Sequence, residues 1–176
     1  MAKERGSEEA APAEGRSAQF EMLFAYHWHV AGRLIACAAR LDEADVRAMH
    51  GHGHGSIHDT LFHVLFADNG WRQALELGRR EAPLQADDYP TLAALQAGFD
   101  AEQAAWSALL GALGARGVDA DTTVTGGRGD AFTFPRWQIL QHVVQHGMQH
   151  FAEVAERLSE KGQSPGDIDF IYFSGA

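Results

Sequence analysis

Four stretches of this chain space their apolar side chains three and four residues apart, and no run between them reads as a buried strand. That spacing gives each helix one apolar face, and the faces can be buried only against one another, so the chain is constrained to an all-α fold, a four-helix bundle. The first stretch spans residues 18–41, with Phe20, Leu23, Phe24, Val30, Ala31, Leu34, Ala38 and Leu41 along its stripe. The second spans 56–77 through Ile57, Leu61, Val64, Leu65, Trp71 and Leu75, with Ser56 at the N-cap and Asp59 at the capping-box position. Phe62 and Phe66 widen its apolar surface, so more than one face of this helix is expected to be covered. The third follows Pro90 with Leu92, Leu95, Phe99, Trp106, Leu110 and Leu113. The fourth lies between Pro135 and Gly162, carrying Ile139, Leu140, Val143, Met148, Phe151, Val154 and Leu158. Connections of roughly ten to twenty residues are longer than most bundle loops, so a simple up-down-up-down order is not required.

Outside the helices, residues 115–134 are glycine-rich, and short β-favouring runs flank Gly126 and Gly127, predicting a small hairpin before the last helix. The ending SPGDIDFIYFSGA is too apolar for a loose tail and is expected to pack back onto the body. Residues 1–17 are charged and aperiodic, with no face to offset the entropy of ordering, and are expected to form a disordered tail; residues 18–176 then make the single domain.

Composition narrows the function. Fourteen basic against 24 acidic side chains leave a net charge of −10, which excludes the clustered Lys and Arg that a nucleic acid backbone demands. The single cysteine, Cys37, cannot form an internal disulfide and fits a reducing compartment; among Ala36, Ala38 and Ala39 its expected role is core packing. No run of about 18 apolar residues and no secretory pattern are present, so the expectation is a cytoplasmic protein without a membrane partner.

The ten histidines fall in two blocks, seven between His27 and His63 and three at His142, His146 and His150. The last three follow one another at i, i+4 steps, each a rotation of only about 40°, so all rise on one side of the fourth helix. Against the apolar stripe centred near Leu140, Phe151 and Leu158, their offsets are roughly 160°, 120° and 80°. Histidines at such spacing can share one metal ion, and the inward drift favours His146 and His150 over His142, which then serves as an outer partner or surface residue. An imidazole-preferring divalent ion, zinc or nickel, needs at least one more donor. His63, among Phe62, Val64, Leu65 and Phe66, is either that donor or a core histidine with both ring nitrogens satisfied. The HGHGHG run holding His50, His52 and His54 reads as a solvated loop, with auxiliary metal capture the alternative; His27 reads as a core or pocket-lining residue. The residue after His142 and after His146 is Val143 and Gly147 rather than Glu, which excludes the zincin protease helix, and no P-loop, nucleophile elbow or dinucleotide fingerprint appears.

Three segments, SIHDTLFHVLFADNGW from Ser56, LQHVVQHGMQHFAEVAERL from Leu140 and the ending GQSPGDIDFIYF, together resemble the DinB-like (DinB/YfiT) superfamily of metal-dependent enzymes from Phe20 onward. The resemblance implies a four-helix bundle with one long crossover, a homodimer, and a divalent metal held by His63, His146 and His150. It also implies a small-molecule substrate, with a low-molecular-weight thiol as co-substrate in some relatives and hydrolysis in others. Phe151-Ala152-Glu153 stands where an Arg-Gly-Gln run often follows the last histidine, so the reaction stays open between the two. A non-catalytic metal- or ligand-binding bundle is the competing reading. Of the carboxylates near these histidines, Asp68 is expected to be structural or an outer partner, and Glu153 is a candidate acid or base.

Overall fold

The computed structural model describes residues 10–51, 53–126 and 128–174. Its elements are α1 (Ala10–Ala38), the single-turn α2 (Glu43–Val46), α3 (Ile57–Leu77), α4 (Leu92–Asp119), the strands β1 (Asp121–Thr125) and β2 (Ala131–Pro135), and α5 (Arg136–Glu160). The fold is all-α, a bundle of four long helices with one small hairpin.

Local chemistry sets most of these boundaries. Ser56 caps α3 by accepting from the Asp59 N–H at 3.0 Å while the Asp59 carboxylate accepts from the Ser56 N–H at 3.3 Å, the reciprocal box its sequence predicts. Gly78 ends the helix in the left-handed conformation at φ 73°. Thr91 caps α4, which breaks at Gly114 (φ 56°) and resumes to Asp119, past the expected end near Leu113. The hairpin pairs antiparallel, Val124 opposite Phe132, and its β1 end is fastened to α3 by the Thr125 N–H donating to the Gly78 carbonyl at 2.7 Å.

The N-terminus differs from expectation. α1 starts at Ala10, so the tail expected over residues 1–17 is helical from that point, and residues 1–9 lie outside those described. Alanine is the strongest helix former, and Pro12 falls in the first turn, where its missing N–H costs nothing. Arg16 pairs with Asp119 of α4, and Ser17 is buried.

Each of α1 and α3 packs against both α4 and α5, which puts α1 and α3 on one diagonal. Phe24 meets Trp106 and Trp28 meets Phe99, so α1 and α4 are antiparallel. His63 meets His146 and Trp71 meets His142, so α3 and α5 are antiparallel. Asn69 and Arg72 of α3 both reach Glu102 of α4, whereas Leu65 lies against Gly98, so those two helices run parallel and residues 78–91 form the long crossover. Tyr89 and Arg80 of that crossover cover Phe62 and Phe66. Trp106, Phe24, Phe151, Leu34, Leu61 and Leu140 fill the centre. The C-terminal segment lies on α1, with the Tyr26 hydroxyl donating to the Ile168 carbonyl at 2.5 Å and Arg33 to the carbonyls of Pro165 and Asp167. No described helix is long and apolar enough to cross a membrane.

Candidate metal centre

The interface of α3 and α5 gathers the histidines. Along α5, His142 is exposed, His146 half-buried and His150 buried, the inward drift that its rotation about the stripe predicts. From α3, His63 points at the same place: its Nε2 stands 3.1 Å from Nε2 of His146, and its ring centroid is 5.0 Å from that of His146 and 4.7 Å from that of His150. The structure thus brings His63, His146 and His150 together.

It also brings in a fourth ring. His54 of the HGHGHG run stacks on His63 with centroids 3.5 Å apart at 15°, and lies 4.8 Å from His150. One ring nitrogen from each of His54, His63 and His150 lies within 4.8 Å of the others, a group able to hold a metal ion. The loop is therefore not merely solvated at its last histidine; His52 lies outside the described residues, and His50 contributes only its backbone N–H, donated to the Gly55 carbonyl at 3.2 Å. What pins the loop is Arg157 of α5, buried to 3% exposure, whose Nη1 donates to the carbonyls of Gly55 and Ser56 and to Thr60 Oγ1 at 3.0–3.2 Å. Gly53 is in the left-handed region at φ 66° with the ends of Glu153 and Arg157 against the place a Cβ would take, so another residue there would be strained and would press on both. The proximity of the loop to a capped helix bearing His63 is visible in the sequence. The arginine that folds it inward is not, because nothing local distinguishes Arg157 from a surface arginine.

Electrostatics suit these rings to metal. Burial, reinforced by His54 and His150, pushes His63 down to about 4, and burial with His150 and His63 pushes His146 down to about 4. His54 is lowered too, by burial and His150. At neutral pH His63 and His146 are therefore uncharged, each with one lone pair to give. Nδ1 of His146 and Nδ1 of His150 are buried without a hydrogen bond, and the latter faces Glu153 Oε2 at 3.4 Å. A carboxylate behind an imidazole in this way aims the opposite nitrogen forward and raises its basicity as a ligand. Glu153, the candidate acid or base, therefore stands beside His150. Zinc–nitrogen bonds of about 2.0–2.1 Å put tetrahedral ligand nitrogens about 3.3 Å apart, close to the spacing His63 and His146 already have. The residues fit a divalent ion.

Behind the cluster, His27 is fully buried with Nε2 2.9 Å from Asp68 Oδ2, so both are core residues and neither is a ligand. Burial raises the Asp68 carboxyl, partly countered by His27. Cys37 is buried in the core.

A model of the DinB family matches residues 15–175. No curated protein matches the chain significantly.

Proposed function

Since this chain belongs to the DinB family, we propose that it is a divalent-metal-dependent enzyme that transfers a thiol to, or hydrolyses, a small molecule, with the metal held by His63, His146 and His150. The observation that carries the reading is four imidazoles converging where α3 meets α5, two of them held neutral by their surroundings. A divalent ion there, zinc or nickel by donor type, supplies a Lewis acid that brings a water or thiol pKa into the neutral range.

The protein's own part is positional. His63 and His146 come from rigid helical positions, and Glu153 orients His150. His54 differs, because it is exposed and sits on a glycine-rich loop, which makes it the nitrogen a substrate can displace. If it stays, the shell closes with four protein ligands and the site is structural; if it leaves, a position opens for chemistry.

Metal analysis of untagged protein tests this. His63→Ala and His150→Ala are expected to lose most of the bound metal, because each removes one of three ligands, whereas His54→Ala keeps full stoichiometry. Full metal content in all three variants overturns the site. Full content in wild type with none in His54→Ala marks a closed structural site instead. The homodimer that the resemblance implies belongs to the same proposal and is checked by sedimentation.

A further inference from the structure

Two adjoining cavities form a groove from the hairpin to His142, and it contains one arginine with no hydrogen bond or ion pair among the described residues. Its wider end has a volume of about 760 Å³ and is lined by Trp71, Ala74, Arg80, Val124, Phe132 and Phe134. A narrower end of about 220 Å³ shares Trp71 and Phe134 and reaches Ile139 and His142. The His142 ring stands edge-on to Trp71 at 5.2 Å and is 5.7 Å from the ring of His146, so the groove ends beside a proposed ligand. Its size is that of a small-molecule site.

Arg80 is exposed, but its guanidinium lies against aromatic rings. Its guanidinium carbon lies 5.5 Å from the centroid of Trp71 and 5.9 Å from that of Phe66, and a Cβ on Gly70 would overlap the group. Gly70 thus leaves a bed on α3 for the guanidinium. The two arginines that precede it are neutralised, Arg72 by Glu102 and Glu76, Arg79 by Glu81. Arg80 has no hydrogen bond or ion pair among the described residues. Partial desolvation of the guanidinium against these rings lowers its pKa. An unpaired, aromatic-framed guanidinium over an apolar groove is the arrangement that takes a planar carboxylate on an apolar body.

We propose that the groove binds a small aromatic or aliphatic carboxylate, its acid group on Arg80 and its apolar body against Trp71 and Phe134, directed toward the histidines. That the ligand is the substrate rests on the metal-enzyme reading; that the groove selects a carboxylate does not.

Calorimetric titration of the full chain with 3-phenylpropanoate and with its neutral isostere 3-phenylpropanamide tests the proposal. The acid is expected to bind at least tenfold tighter than the amide, and Arg80→Gln to bring the acid down to the level of the amide with metal content unchanged. The same preference is expected in metal-free His63→Ala protein. Equal binding of acid and amide, no binding of either, a preference that survives Arg80→Gln, or one that disappears in metal-free His63→Ala each overturns it, the last by showing that the carboxylate seeks the metal. Wild-type protein that holds no metal yet prefers the acid upholds the groove and removes the enzyme reading.

Discussion

Gly147 sits in the middle of α5, where glycine costs roughly 0.5–1 kcal/mol against alanine. Its backbone is helical, so φ does not explain it; the buried His27 ring does, because a Cβ at 147 would overlap that ring. Gly147→Ala, stabilising in an ordinary helix, is therefore expected to destabilise by about 1–3 kcal/mol. The double variant with His27→Ala should recover part of that, a coupling readable by denaturant melts; additive losses would show that the two do not share the space. Protonation at single residues adds a pH dependence. His63 and His146 fall from 6.5 to about 4 in the folded protein, so the unfolded chain takes up protons first as pH drops. Their contribution is intact above pH 6.5, declines through the window between 6.5 and about 4, and is gone below it. Allowing for solvent screening of half-buried rings, each contributes about 1 kcal/mol, or about 2–4 °C in Tm. Metal-free wild type should show that acid limb, and a His63→Leu/His146→Leu variant should flatten it; an equal limb in both would assign it to other groups.

At the scale of elements, α3 and α5 are legible in the sequence because their ends carry their own chemistry: Ser56 with Asp59, Gly78, Pro135 and Gly162. The hairpin is legible from the glycines between its β-favouring runs, and the burial order of His142, His146 and His150 follows from helical rotation. The start of α1 is not, since residues 10–16 lack an apolar stripe and are helical through alanine content and the pairing of Arg16 with a distant Asp119. His54 is missed for a related reason: its place depends on Arg157, 103 positions along the chain, closing the loop from another helix. Arg157→Met keeps the length of that side chain and removes its donors. It is expected to cost about 2–4 kcal/mol by removing the charge-assisted hydrogen bonds to the Gly55 and Ser56 carbonyls and to Thr60 Oγ1, and to weaken metal binding roughly tenfold, as loss of an outer support does. Thermal melts and metal titration check this; unchanged metal affinity would mean that Arg157 gives the metal centre no support.

For the molecule as a whole, the parallel pairing of α3 with α4 separates two tasks. The parallel arrangement obliges residues 78–91 to cross the bundle, and a buried polar network holds them: Glu102 accepts from Asn69 at 2.7 Å and from Arg72 at 2.8 and 2.9 Å, and Asn69 accepts from Gln73 at 2.8 Å. Gln73 then holds the crossover backbone, accepting from the N–H of Glu81 at 2.8 Å and donating to the Ala82 carbonyl at 3.0 Å. Arg80 precedes the first of these by one residue, so the network that fixes the helix pair also fixes the groove. The histidines, by contrast, stand where α3 meets α5 and on the loop beneath Arg157, and Glu102 makes its hydrogen bonds to Asn69 and Arg72 rather than to them. Glu102→Gln removes the charge facing Arg72 and is expected to cost about 2–4 kcal/mol. It should also loosen the acid-over-amide preference of the groove while metal content stays full. A variant that loses metal in step with stability would show that the crossover and the α3–α5 interface unfold as one unit, and that the separation of groove from metal centre does not exist.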